Sequence, residues 1–179
     1  MRIAKELKER NVCEYLLYMW QVEDTIRAYG LDAERMAREY VPRFGLPEQE
    51  ARDEAQWYED LARMMREEGV EKRGHLQINR GTLSLLDDLH AELLRSTKHP
   101  FYAAAYYKAL PFIVELRARG DKDVSELETC LSCVYGVMVL KMQHREVSEE
   151  TKSALGAITH LLALLADAYQ KERKGELEL

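Results

Sequence analysis

The sequence predicts an all-α fold, a single-domain bundle of six or seven helices, and three observations carry that expectation. Leu, Glu, Ala, Arg and Lys supply 92 of the 179 residues, the composition of long helices. Val, Ile and Thr, on which strands draw heavily, number only 21. Apolar residues recur three and four apart in long segments, and glycine or proline falls where each segment stops. A chain of this length buries a core without disulfide staples.

The first helix is expected over residues 3–29, with Val12, Tyr15, Leu16, Met19, Val22, Ile26 and Tyr29 on one face. Cys13, Leu17 and Trp20 add a second stripe, so the middle of this helix should be core nearly all round. A short second helix starts at the capping residue Asp32 and stops before Pro42, because a residue preceding proline is pushed out of the helical region. Pro47 opens a third helix that reaches Glu68. Its eight acidic residues against three arginines account for five of the six net negative charges, and its narrow apolar line suits the outside of a bundle.

Residues 69–81 form the least regular stretch, read as a loop or a frayed helix start, with a fourth helix following to about Thr97. The fifth helix covers residues 101–119 and holds Pro111, which removes one backbone bond and predicts a kink near Lys108. Ser125-Glu126-Leu127-Glu128 is a capping box that starts a sixth helix running to about Arg145. The seventh starts at Ser148, and its Leu155, Ile158, Leu162, Leu165 and Tyr169 form a seam suited to lying along another helix. A short disordered tail is expected from about residue 174.

The segment Glu14-Tyr15-Leu16-Leu17-Tyr18-Met19-Trp20-Gln21-Val22-Glu23-Asp24, with Arg27 one turn on, resembles the opening helix of an uncharacterised bacterial family known only as a domain of unknown function. Pro100-Phe101-Tyr102, Ala105-Tyr106-Tyr107-Lys108-Ala109-Leu110-Pro111-Phe112, Glu126-Leu127-Glu128-Thr129-Cys130 and Tyr135-Gly136-Val137-Met138 are similar to the same family. The resemblance spans nearly the whole chain. It implies an all-helical cytoplasmic protein of about this size, and brings no activity, cofactor or catalytic residue.

Charge and cysteine usage bound the function further. A net charge of −6 argues against nonspecific nucleic-acid binding, although Lys72, Arg73, His75 and Arg80 cluster in the irregular stretch. No apolar leader opens the chain, three cysteines form no disulfide framework, and the longest uncharged runs fall well short of the roughly 20 residues a membrane helix needs. The expectation is a soluble protein of the reducing cytoplasm.

Cys130-Leu131-Ser132-Cys133 has redox or zinc spacing, but it lies inside an apolar helix beyond the first turn, so inert buried thiols are expected. Asp87-Asp88-Leu89-His90 approaches the Glu-x-x-His spacing of di-iron bundles with the wrong acid, and His90 is read as a hydrogen-bonded core histidine. His160 lies on a solvated stripe. No set of ligands gathers at metal spacing, so no metal or cofactor is expected. No nucleophile, catalytic residue or phosphate loop is legible either.

Gln21, Glu23, Asp24 and Arg27 form a polar set directly after the most apolar stretch of the chain, and Asp24 and Arg27, three apart, can pair on one face. That face is either a solvated helix end or the wall of a small pocket formed with His90, Tyr102 and Tyr106. The candidate ligand-binding residues are therefore Trp20, Asp24, Arg27, His90, Tyr102 and Tyr106. Absent catalytic spacing ranks a protein-interaction or scaffold role first and small-ligand binding beside the first and fifth helices second. The expected partner is a second copy or another protein, with no membrane and no nucleic acid. The surface expected to form a homodimer is Leu161, Leu164 and Ala168 of the last helix, unless that helix is wholly internal.

Overall fold

The structure, a computed structural model, describes residues 1–120 and 123–179. Among the described residues the chain is all-helical, with eight α-helices and no strand. They are α1 (Arg2–Arg10), α2 (Val12–Ala28), α3 (Ala33–Glu39), α4 (Glu48–Glu67), α5 (Gln77–Arg95), α6 (Pro100–Arg119), α7 (Glu126–Met142) and α8 (Glu149–Arg173). A four-residue 3₁₀ turn, Val41–Phe44, carries Pro42 between α3 and α4.

Two expectations change. The opening helix is divided into two, which brings the total to eight rather than six or seven. Asn11 is the cause: its side-chain oxygen accepts from the Cys13 backbone N–H at 3.0 Å, capping a new helix start although the apolar rhythm runs on through it. The helix expected after Gly81 begins earlier, at Gln77, so the later part of the stretch read as a loop or a frayed helix start is helix.

The chain divides into two compact units, one of residues 1–9 and 14–82, the other of residues 10–13 and 83–179. In the first, Tyr15, Leu16, Met19, Trp20, Val22 and Ile26 of α2 are all buried. Helices α3 and α4 pack on each other and on the 3₁₀ turn. Asp32 caps α3 by accepting from Arg35 N–H at 2.9 Å. Around it the chain turns through two left-handed residues, Gly30 and Leu31. Leucine in that conformation costs about 1–2 kcal/mol, and it is held by its N–H on the Ile26 carbonyl and by the Arg66 guanidinium on its own carbonyl.

In the second unit α6, α7 and α8 pack on one another. Helix α6 turns Tyr102, Ala105, Ala109 and Ile113 inward, a stripe at spacings of three, four and four. Ser125 caps α7 through the Glu128 N–H at 3.1 Å, as the capping box requires, and Ser148 caps α8 through the Thr151 N–H at 3.2 Å. Pro111 lies inside the continuous α6 on its exposed side, where a carbonyl left without a helical donor is open to water.

Helix α8 overturns the surface expected for association. Leu161 and Ala168 are buried, as are Ile158, Leu162, Leu165 and Tyr169, and Leu164 is half-buried. An alanine-rich helix lets its neighbours approach closely enough to cover both stripes. Leu161, Leu162 and Leu165 are core, Leu155 and Leu164 are half-buried, and the stripe of Gly156, Thr159, His160, Ala163 and Asp167 stays exposed.

Candidate functional site

Three of the residues singled out as candidate ligands, Trp20, Asp24 and Arg27, stand on α2 in the first unit; the other three, His90, Tyr102 and Tyr106, belong to the second. Each group has its own geometry.

On α2 the decisive residue is one the candidate set omits. Glu23 sits on the buried stripe between Met19 and Ile26 and is wholly inaccessible. A carboxylate there is tolerable only if its oxygens are satisfied. One oxygen accepts from the Leu76 backbone N–H at 2.9 Å and from the Asn79 side-chain amide at 2.7 Å. The other lies 2.6 Å from His75 Nδ1. Asn79 in turn accepts from the Tyr15 hydroxyl at 3.4 Å. Trp20 lies flat on the His75 ring, with centroids 4.2 Å apart and planes 13° from parallel. The indole of Trp20 thus serves as a floor for an imidazole.

Arg27 finishes the arrangement. Its guanidinium donates to Asp24 at 2.8 Å and to the backbone carbonyls of Val70 and Gly74, while its Nε is buried without a hydrogen-bond partner. Asp24 remains half-exposed. Together Glu23 and Arg27 pin residues 70–76 onto α2, and Glu23 acts as the helix cap that the sequence before α5 lacks. Glu68 adds a second carboxylate at the same place, accepting from Gln77 N–H at 2.6 Å. His75, grouped by sequence with Lys72, Arg73 and Arg80 as a basic cluster, is held by Glu23 instead, while those three side chains are exposed.

In the second unit His90 is the hydrogen-bonded core histidine its apolar line predicts. Its Nδ1 lies 2.5 Å from the Tyr102 hydroxyl, and the Tyr106 ring meets it edge-on at 5.2 Å. Burial lowers the His90 pKa from its ordinary 6.5 and raises that of Tyr102, so both are neutral near pH 7. Tyr106 is pushed up to about 12 by burial and by the Glu126 carboxylate.

A pH dependence follows. Below 6.5 the unfolded chain protonates His90 and the folded chain does not, so its contribution to stability is complete above that value and falls as pH drops toward the depressed folded pKa. Urea unfolding at pH 7.5 and 5.5 should show the parent losing midpoint, with a smaller loss in His90→Asn. An equal loss in both would show that this residue is not responsible.

Tyr102 also lines a cavity of about 170 Å³ with Leu93, Phe101, Leu164 and Ala168, and with Lys98, His99, Asp167 and Lys171 at its polar side. The C-terminal tail reaches it: Leu177 is part of the lining, and the Glu178 carbonyl lies 2.8 Å from His99 Nε2.

The cysteines are free thiols. Cys130 is buried and its pKa is pushed up to about 12, and burial also raises that of the half-buried Cys133. Neither is poised as a thiolate nucleophile near neutral pH. Among the described residues no three His, Cys, Asp or Glu side chains gather to hold a metal ion.

The remaining surface feature is apolar. Phe101 is 83% exposed, Tyr107 66% and Val114 59%, all on α6. The face opposite its buried stripe reads Pro100, Ala104, Tyr107, Pro111, Val114 and Ala118, spaced four, three, four, three and four, without a charge. Over residues 1–176 the chain matches the family described as Domain of unknown function (DUF4924). The chain belongs to the DUF4924 family. No curated protein and no solved structure matches it. DUF4924 membership therefore agrees with the helical fold and assigns no chemistry to the Glu23 network, the cavity or the α6 face.

Proposed function

We propose that this DUF4924 chain is a protein-interaction or scaffold module that binds through the outer face of α6. The observation that carries this reading is the unbroken apolar line from Pro100 to Ala118 left on the surface of a helix whose opposite side is fully packed. Scattered exposed apolar residues are ordinary, but a contiguous line marks a partner surface. The polar alternatives are already committed. Glu23 is satisfied by His75, Asn79 and the Leu76 N–H, and Arg27 by Asp24 and two backbone carbonyls, and both hold a turn in place, which is structural work. Three free thiols support a reducing, cytoplasmic setting.

A photo-crosslinking residue placed at Tyr107 or Val114 in the native host should give adducts that the same residue at Glu92, exposed on α5, does not. Equal yields from all three positions, or none, would reject this face as the interaction surface.

The cavity beside Tyr102 favours a second reading, small-ligand binding. Its wall is mostly apolar and its charged groups are paired, Lys171 with Asp167 at 2.8 Å and Lys98 with Glu178 at 3.7 Å, so it suits a small uncharged apolar molecule. Intact mass measured under native conditions on the same preparation would show such a molecule as added mass.

A further inference from the structure

We infer that the partner of the α6 face is a second copy of this chain, docked antiparallel along α6 about a twofold axis near residues 111–113. This rests on the interaction reading above and names its partner. The face is self-complementary in shape and in charge, and a single register satisfies both.

Shape comes first. At the C-terminal end of the line, Val114, Arg117, Ala118 and Glu126 surround an open, mostly apolar groove of about 320 Å³. Towards the other end Tyr107 projects as a large exposed ring. Eleven residues, or about 16 Å along a helix, separate Tyr107 from Ala118. Antiparallel pairing centred between them seats each Tyr107 over the other copy's Ala118, a large residue over a small one, with Arg117 and Glu126 at the groove to meet the phenol hydroxyl. The same register sets Pro111 against Val114. Two aromatic anchors entering two grooves is how an isologous interface concentrates its binding energy.

Charge gives the second, separate indication. Lys108 and Glu115 are seven residues apart and lie on the same flank of the apolar line. In antiparallel helix pairs, equivalent flanking positions face each other. The midpoint of Lys108 and Glu115 lies within one residue of the midpoint of Tyr107 and Ala118, so that register brings each Lys108 to the partner copy's Glu115 twice over. Glu115 is paired along its own helix with Arg119 and remains exposed enough to accept a second cation. In a parallel pair Lys108 would face Ala103 or Leu110, and the charges would have no role.

The test is a charge-reversal cycle read by sedimentation equilibrium of the purified full chain at low salt. The parent should associate to a dimer. Lys108→Glu alone and Glu115→Lys alone should each weaken dimerisation by about tenfold or more, because each sets like charges opposite each other. The double reversal should restore it to within about threefold of the parent. Ala118→Glu, which fills the groove, should give a monomer with parent-like helicity by circular dichroism, since position 118 is exposed. A parent that stays monomeric at about 100 μM, or single reversals that leave the dimer unchanged, would overturn the second-copy assignment. A double reversal no better than the singles would overturn the antiparallel register. If the parent is monomeric while crosslinks from Tyr107 and Val114 carry a different protein, this inference fails and the interaction reading stands. Absence of both fails the two together.

Discussion

Glu23→Leu should destabilise the protein by about 3–5 kcal/mol, the range for removing one member of a buried, hydrogen-bonded charged set. The carboxylate is inaccessible and serves three donors at once: the Leu76 N–H, the Asn79 amide and the His75 ring. Leucine fills similar volume but leaves the Leu76 N–H and the Asn79 amide buried and unpaired, at about 1–3 kcal/mol each, whereas the part-exposed His75 ring can be hydrated. Glu23→Gln should cost much less. A glutamine oxygen can still accept from Leu76 and Asn79, and its amide can donate to a neutral His75 Nδ1. Denaturant unfolding measures both variants, and hydrogen exchange locates the damage. The amides that open should be those of residues 70–80, because Glu23 caps α5 in place of a local residue. A leucine variant within about 0.5 kcal/mol of the parent would mean that this network contributes little to stability.

Trp20→Ala should lower stability by about 3–5 kcal/mol. Trp20 is 3% exposed, so almost its whole indole is removed from water on folding. At this chain length such a loss shifts the melting temperature by about 10 °C. Part of it is specific. The indole face supports His75, so Trp20→Ala and His75→Ala should be non-additive, with the double variant costing less than the two singles added. Strict additivity would deny the stack any energy of its own, and a melting point within about a degree of the parent would remove Trp20 from the core.

Helix positions, caps and much of the core were legible because local sequence carries them. A serine three residues before a glutamate caps α7, an aspartate caps α3, and most apolar residues at three- and four-residue spacing on α2 and α8 are buried, Leu155 at the start of the α8 seam being half-buried. His90 could be assigned as a partnered core histidine because it falls on such a line. Asn11 was equally local but outvoted, since the apolar rhythm continues through it and one capping side chain is a weaker signal than an unbroken stripe.

The candidate site was harder to read. Glu23 betrays itself only as a carboxylate on an apolar stripe, between Met19 and Ile26, and its partners lie more than fifty residues away along the chain. Its neighbours Asp24 and Arg27 look more promising as a pair, yet Asp24 is half-exposed and Arg27 is occupied with backbone carbonyls of the following turn.

Sequence alone determined the helical class, the start of most helices and which stripes are apolar, since propensity, capping and periodicity act within a few residues. Tertiary structure decided where α5 begins, because its capping acceptor is donated from α2. It also decided which apolar stripe stays outside. The leucines of α8 and the outer line of α6 are both apolar by pattern, and only packing distinguishes them: the alanines of α6 and α8 bring those helices together and bury one stripe, which leaves Tyr107, Pro111 and Val114 facing water.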